Sequence, residues 1–337
     1  MNSFVKRACR LLALVCCLSA CNTLDPEFNA SVFPGRIQFL ANRQYPEGVA
    51  YSPALDKFLI SSITQGKVGT VDQNGRYIDI SPIADDAMLI SAIGIKVREG
   101  KLYVCNGDLG VSTKSKPETT GKTAGLFVYD LATGQNIKRV DLTQWFPNSA
   151  HFANDVAFDP SGNAYVTDSF SPVIYKVPAD STQPSILVNS PLFTGSQGFN
   201  LNGIVYHPDK FLIVAKSNEG SLYRVDLNKP TLPQQITGPT LLNADGMVLY
   251  NNELYIVNNR NRVSRVRSSD GWNTFTVVET DTSGYDQATT SAEVNGKIFT
   301  LNARIGEVNA AVAAKNPNQL QANEYSIQQF KPREGGN

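Results

Sequence analysis

The sequence predicts an all-β fold, a six-bladed β-propeller of four-stranded antiparallel blades. Short runs rich in Val, Ile, Tyr and Phe alternate with turns of Gly, Asn, Asp and Pro along the chain, as β-strands require. One pattern of strands and turns recurs, and the copies that begin at Asn154, Asn202 and Asp245 lie 48 and 43 residues apart, which is the length of one propeller blade. Beyond the N-terminus, no long segment of the sequence places its apolar residues at helical spacing.

The N-terminus has the organisation of a signal peptide. Lys6, Arg7 and Arg10 precede the apolar run 11–18, which is shorter than the roughly 20 apolar residues of a membrane-spanning helix. The residues that follow, up to Cys21, resemble the lipobox of bacterial lipoproteins, in which the cysteine is lipidated and becomes the mature N-terminus. An ordinary secretory signal with a chance cysteine is the alternative.

This interpretation divides the chain into a signal peptide at residues 1–20, a tether at 21–35 and the propeller at 36–333. It places the protein in a bacterial cell envelope, attached to the membrane through the N-terminal lipid on Cys21 and facing either the periplasm or the cell surface. Cleavage before Cys21 leaves Cys105 as the only other thiol of the mature chain. Cys105 lies in a predicted strand, where a lone cysteine is usually a small core residue.

The charge pattern argues against a nucleic-acid partner. The chain has 30 Lys and Arg residues and 30 Asp and Glu residues, and no basic block is interleaved with aromatic residues. We expect a monomer whose partner is a small molecule.

The repeated pattern has six copies, which is enough to close a ring. Two further apolar segments, 36–40 and 324–330, lie outside the copies, and either could complete the terminal blade. Closure matters because it leaves only short, protected sheet edges. Residues 110–122 form a polar insertion in the second copy, which is either a solvated loop or a lid over the central pocket.

Four copies place a polar residue at the same point, just before the first apolar strand. These residues are Glu47, Asn154, Asn202 and Asp245. The innermost strands of a propeller line the central channel, so the four side chains are expected to converge at one mouth of it. Two carboxylates and two amides supply the hard oxygen ligands that Ca²⁺, Mg²⁺ or Mn²⁺ prefer. The alternative is that each residue only forms a local turn, which Asn-Gly and Asp-Gly pairs favour.

The segments around these four residues carry a resemblance to a known family. They are Pro46-Glu47-Gly48, Phe152-Ala153-Asn154-Asp155, Leu201-Asn202-Gly203 and Ala244-Asp245-Gly246-Met247. In this order they resemble the motifs of the SMP-30/gluconolactonase family of six-bladed propellers, over nearly the whole mature chain. The resemblance implies that Glu47, Asn202 and Asp245 hold one divalent cation, and that Asn154 positions the substrate or completes the ligand shell.

The same resemblance implies hydrolysis of a lactone or related ester. A divalent cation polarises the ester carbonyl and lowers the pKa of a bound water molecule, and Asp245 is the candidate base that accepts the proton. The ion expected is Ca²⁺, with Mg²⁺, Mn²⁺ or Zn²⁺ as alternatives.

The chain departs from the family at one position near the substrate. Members that act on sugar lactones commonly carry Arg two residues before the Asn of Asn-Asp, and here that residue is Phe152, which argues against a sugar-acid substrate. His151 lies near the same mouth and is a candidate substrate-binding residue or base, as in the related paraoxonases, although a hydrogen-bonded turn residue is the simpler interpretation. Segment 159–168 also resembles the NHL repeat. A non-catalytic propeller that binds a protein or a glycan is therefore the alternative function.

Overall fold

The protein folds into a six-bladed β-propeller, which confirms the sequence prediction. The computed structural model describes residues 33–195 and 198–331, so the predicted signal peptide, Cys21 and most of the predicted tether lie outside the described residues. Six antiparallel sheets each have four main strands. The innermost strand of each sheet packs against that of the next, and the last packs against the first, which closes the ring.

The strands are given blade by blade, from the innermost to the outermost. Blade 1 contains β2 (Val49–Ser52), β3 (Lys57–Ser62), β4 (Lys67–Val71) and β5 (Tyr77–Asp79), and blade 2 contains β6 (Ser91–Arg98), β7 (Lys101–Gly107), β9 (Gly125–Asp130) and β10 (Asn136–Asp141). Blade 3 contains β11 (His151–Phe158), β12 (Ala164–Asp168), β13 (Val173–Val177) and β14 (Ser185–Asn189), and the short β8 (Lys122–Thr123) pairs in parallel with the start of β11.

The second half of the ring repeats this arrangement. Blade 4 contains β15 (Leu201–His207), β16 (Phe211–Lys216), β17 (Ser221–Asp226) and β18 (Gln234–Ile236), and blade 5 contains β19 (Met247–Tyr250), β20 (Glu253–Asn258), β21 (Arg262–Arg267) and β22 (Thr276–Asp281). Blade 6 contains β23 (Ala288–Val294), β24 (Lys297–Asn302), β25 (Glu324–Gln329) and, as its outermost strand, β1 (Arg36–Leu40). Both segments left over in the sequence therefore complete the same blade.

Burial on both faces of each blade explains why the strands have no simple alternation of apolar and polar residues. Every residue of β16 is buried, and β3 is buried along all but its first residue. Neighbouring blades cover the two faces of each sheet, so continuous apolar runs are favoured over an alternating pattern.

Two short helices interrupt the ring of strands. Helix α1 spans Ser81–Ala84 between blades 1 and 2, and α2 spans Ile305–Ala313 between β24 and β25. In the described part of the chain, no helix combines the length and the hydropathy needed to cross a bilayer.

Ring closure by β1 should contribute a large share of the stability of blades 6 and 1. Phe39 is 2% exposed and packs near Tyr77 and Tyr325, whereas its neighbour Leu40 is 70% exposed. We expect Phe39→Ala to lower the free energy of unfolding by about 3–5 kcal/mol, because it leaves a cavity where the ring closes. Leu40→Ala, the matched control, should change it by less than about 0.5 kcal/mol.

Chemical denaturation of both variants measures this difference. Equal effects of the two substitutions would show that β1 does not close the ring through its buried face.

Candidate functional site

The four polar residues at the starts of the innermost strands line one cavity. Glu47, Asn154, Asn202 and Asp245 all contribute to the wall of a cavity of about 500 Å³ at one mouth of the central channel. The four residues come from blades 1, 3, 4 and 5, and up to 198 residues separate them along the chain. The fold therefore brings together the residues that the sequence pattern singled out.

The side chains reach the channel because regular strand pairing is absent where they occur. In blades 3 and 4 the pairing of the innermost strand with its neighbour is interrupted at Asn154 and Asn202. In blades 1 and 5 this pairing begins only after Glu47 and Asp245. An irregularity of this kind bends the strand and changes the direction of a side chain.

Glycines allow the innermost strands to approach each other closely around the axis. A Cβ atom on Gly48 would lie 2.4 Å from the backbone oxygen of Ile93 in blade 2, and one on Gly203 would lie 2.4 Å from the backbone oxygen of Asp245 in blade 5. Both contacts are too short for any side chain. The Gly that follows the polar residue in these motifs is thus required for the narrow ring, beyond any role in a local turn.

Three acceptor oxygens at this ring are buried without a hydrogen-bond partner within the described residues. They are Oε2 of Glu47, Oδ1 of Asn154 and Oδ1 of Asn202. The amide of Asn154 donates to Oγ of Ser169 at 3.0 Å, and Asn202 donates a hydrogen bond to the Asp245 carboxylate. Burying one unsatisfied acceptor costs about 1–3 kcal/mol, so three of them on one cavity wall fit a cation, to which such oxygens are ligands.

The environment of Glu47 and Asp245 disfavours the charged form of both carboxyl groups. Burial raises the pKa of Glu47 well above its usual value, the charges of Asp245 and Asp155 raise it further, and Lys96 opposes them. Burial also raises the pKa of Asp245 to about 7, against the lowering effect of hydrogen bonds from Asn202 and the backbone of Gly246. A cation between the two carboxylates would remove this penalty.

The oxygens of the ring fit a hard divalent cation. They are carboxylate and amide oxygens, and such donors suit Ca²⁺, Mg²⁺ or Mn²⁺. No group of three or more His, Cys, Asp or Glu side chains able to hold a metal occurs in residues 33–195 and 198–331. Any cation bound here would therefore depend on the amides of Asn154 and Asn202 as well as on the two acids.

An ion pair lies deeper in the channel, below the ring of four residues. Nζ of Lys96 is 3.5 Å from Oδ1 of Asp155, and both residues line the narrow section of the channel together with Glu47. The Asp155 carboxylate also accepts a hydrogen bond from the backbone N–H of Val156 at 2.8 Å. With the two acids of the ring, these groups give the channel a net charge of minus two when all are ionised, which one divalent cation neutralises.

Sequence reasoning assigned no role to Asp155 or Lys96. The sequence did contain an indication of their role. Glu47, Asn202 and Asp245 are each followed by Gly, whereas Asn154 is followed by Asp155. A carboxylate in place of the close-packing glycine was an anomaly that indicated a buried charge.

His151 lies beside the site but takes no part in the cavity wall. Its ring is fully buried, with Nδ1 2.7 Å from Oδ2 of Asp168 and Nε2 2.8 Å from the carbonyl oxygen of Phe146. Burial lowers the pKa of His151, but these two acceptors outweigh it and raise the pKa above its ordinary value. Both ring nitrogens are thus occupied, so His151 supports the start of β11 and does not suit the substrate-binding role considered for it.

The insertion at residues 110–122 is fastened to the body of the propeller. Nζ of Lys114 donates to the backbone oxygens of Gly66 and Asp86 at 2.9 and 2.8 Å. Just before the insertion, the buried carboxylate of Asp108 accepts from Oγ1 of Thr119 at 2.7 Å and from the backbone N–H of Gly110 at 2.7 Å. These contacts hold the insertion against blade 1 and the segment after α1, and its role as a solvated loop or a lid stays a prediction.

Cys105 is buried, in agreement with a structural role. It is 0% exposed, and burial raises the pKa of its thiol well above the usual value. A buried thiol of this kind is a poor nucleophile.

Comparison with known proteins identifies relatives of the fold. No family model and no curated protein sequence matches the chain. The structure is similar to the major Malassezia sympodialis allergen Mala s 1, with a TM-score of 0.69, 16% identity and coverage of 89% of this chain and 97% of that chain. It is also similar to regucalcin, a calcium-binding protein from Agrobacterium tumefaciens (TM-score 0.56, 18% identity, 89% and 96% covered), and to a gluconolactonase from Xanthomonas campestris (0.57, 13%, 88% and 89%).

The chain shares the propeller fold of these proteins. A gluconolactonase is among these structural neighbours, and the shared fold is the one that the resemblance of the sequence motifs implied. At identities of 13–18% the likeness concerns the fold, and the chemistry of the site rests on the residues of this chain.

The raised pKa values of the two acids predict how stability depends on pH in the absence of a divalent ion. Glu47 and Asp245 hold a proton more tightly in the folded than in the unfolded chain, so the free energy of unfolding falls as the pH rises from about 4 through 7. His151, with its raised pKa, contributes in the same direction. Thermal unfolding in EDTA between pH 5 and 8 measures the combined pH dependence of stability. Glu47→Gln should make this dependence weaker.

The difference in pH dependence between wild type and Glu47→Gln separates the contribution of this acid from that of His151. An unchanged slope in Glu47→Gln would mean that this carboxyl group is not strained by burial.

Proposed function

We propose that this protein is a hydrolase of lactones or related esters that depends on one divalent cation, with Ca²⁺ as the first candidate. Glu47, Asn202 and Asp245 would hold the ion. The observation that carries the proposal is the set of unsatisfied, buried oxygens of Glu47, Asn154 and Asn202 on the wall of a cavity large enough for a small molecule. Structural likeness to a calcium-binding regucalcin and to a gluconolactonase supports it.

The residues of the cavity have separate roles in such a reaction. A divalent cation, when bound, polarises the ester carbonyl and makes a neighbouring water molecule more acidic. Asp245 lines the cavity, so its carboxylate is placed to accept a proton from the attacking water and return it to the leaving alkoxide. Asn154, held by Ser169, presents its amide oxygen to the cavity and orients the substrate.

The proposed location is a bacterial cell envelope. The basic residues, apolar run and Cys21 of the N-terminus support a lipid anchor. We propose that the propeller is tethered to a membrane surface through residues 21–35, and labelling of the full-length protein with a fatty-acid analogue, lost in Cys21→Ser, tests it.

The site should bind one divalent ion per chain. Calorimetric titration of EDTA-treated protein with Ca²⁺ should give a stoichiometry of one, and Glu47→Gln should weaken binding by at least about tenfold because a charged ligand is lost. Without the ion, the same variant should melt at a temperature equal to or above that of wild type, since it relieves repulsion with Asp245.

Glu293→Gln is the matched control, because Glu293 lies at the opposite mouth of the channel and should leave ion affinity unchanged. An ion affinity that is equal in wild type and Glu47→Gln would contradict the proposed site.

Lactone hydrolysis should require both the ion and Asp245. On a panel of γ- and δ-lactones, EDTA treatment should abolish turnover and added Ca²⁺ should restore it. Asp245→Asn, which removes both an ion ligand and the proposed base, should lower kcat by at least about 100-fold, even at saturating Ca²⁺. Tight ion binding without turnover of any lactone or ester would instead favour the non-catalytic propeller that binds a protein or a glycan.

A further inference from the structure

The wall of the cavity has two chemically different sides. The apolar side is formed by residues from blades 1, 2 and 3 and from α2, namely Ile63, Leu109, Phe152, Phe199 and Ile305. All five belong to or pack against one hydrophobic cluster, so they form a continuous surface. The polar residues Ser217, Asn218, Asn243 and Arg260 come from blades 4 and 5, and Asn309 lies one turn after Ile305 on α2.

Three aromatic rings give the apolar side its shape. Phe152 lies 5.4 Å from Phe170 and 5.6 Å from Phe199, and Phe170 lies 5.5 Å from Phe199, measured between ring centroids. Three mutually packed rings support one another and form a rigid surface suited to an apolar or aromatic group. A polyhydroxylated sugar ring would lose hydrogen bonds to water against this surface without replacing them.

Arg260 is the one cationic side chain of the cavity wall in the described part of the chain. It is exposed, its positive charge lowers the pKa of Asp245, and within residues 33–195 and 198–331 its guanidinium makes neither an ion pair nor a hydrogen bond. A guanidinium in a partly enclosed cavity is suited to a carboxylate, which it binds through two parallel hydrogen bonds.

The backbone at Arg260 adds a second observation. Asn259 and Arg260 have φ values of 50° and 60°, in the left-handed region. In the corresponding turns of blades 1 and 4, Gly66 and Gly220 take the left-handed conformation, which costs glycine little. Arginine is less favourable than glycine in this conformation, and the turn of blade 5 nevertheless carries it at the cavity wall.

The turn that carries Arg260 is fastened on both sides. The backbone N–H of Asn259 donates to the carbonyl of Leu242 at 2.6 Å, and the carbonyl of Arg260 accepts from the N–H of Ala288 at 2.6 Å. These bonds join the turn to the connections on either side of blade 5 and hold the backbone of Arg260 at the cavity wall.

We propose that the cavity selects a ligand with an aryl or alkyl body, packed against Phe152 and Phe199, and a carboxylate bound by Arg260. This inference rests on the proposed function in that it names the substrate class, a lactone that carries an apolar substituent and a carboxylate. In its hydrolysis the water oxygen bonds to the carbonyl carbon, the ring C–O bond breaks and the leaving oxygen takes a proton, so no other reactant is needed.

Three probes separate the two sides of the cavity without requiring turnover. They are 4-phenylbutyrate, with an apolar body and a carboxylate; 4-phenylbutan-1-ol, with the same body and no charge; and gluconate, with a carboxylate on a hydroxylated body. Their affinities for the Ca²⁺-supplemented protein are measured by calorimetry. Wild type should bind 4-phenylbutyrate at least about tenfold more tightly than either other probe, because only it matches both sides.

Two variants assign the effect to named residues. Phe199→Ala should weaken both phenyl compounds by about tenfold and leave gluconate unchanged. Arg260→Gln should weaken 4-phenylbutyrate to the level of 4-phenylbutan-1-ol and leave the alcohol unchanged. Arg262→Gln, an exposed arginine on β21 that does not line the cavity, is the control and should bind all three probes like wild type. Melting temperatures establish that each variant is folded.

The outcomes distinguish this inference from the proposed function. Gluconate binding as tightly as 4-phenylbutyrate, or equal behaviour of Arg260→Gln and Arg262→Gln, would overturn the two-sided cavity. The expected binding pattern without hydrolysis of any lactone would leave the ligand class standing and reject the hydrolase.

Discussion

The close approach of the innermost strands around the propeller axis is the constraint on which the rest of the structure depends. Gly48 and Gly203 permit this approach, because a Cβ atom at either position would collide with the backbone of the next blade. The narrow ring that results places side chains from four blades on one cavity wall. It also buries three oxygens that have no hydrogen-bond partner within the described residues.

Crowding carboxylates around the axis makes their ionisation unfavourable, and the protein compensates for only part of this cost. Lys96 pairs with Asp155 and opposes the charge at Glu47, but the pKa values of Glu47 and Asp245 still lie well above their usual range. Three carboxylates and one ammonium group leave a charge that one divalent ion would balance. The chemistry proposed for the site and the strain of the ion-free channel thus have the same origin.

Sequence reasoning succeeded where the evidence was local or periodic. The strand repeats, their spacing and the polar residue at the start of four of them predicted the six blades and the four residues that meet at the channel. For His151 the sequence left a substrate-binding role open beside that of a hydrogen-bonded turn residue, because its neighbours along the chain did not reveal its partners. The structure fits the second interpretation, with Asp168 and the carbonyl of Phe146 at the two ring nitrogens. Asp155 and Lys96 were missed for the same reason, since their pairing joins two blades.

The sequence by itself determined the number of blades, the order of the strands and the residue types at the mouth, because each follows from short-range patterns repeated along the chain. Only the tertiary structure decided that both terminal segments complete blade 6, that the insertion at 110–122 is fastened to the body of the propeller, and that apolar and polar residues occupy different parts of the cavity wall. The physical reason is that these features depend on contacts between residues distant in sequence, and ring closure selects which of them can form.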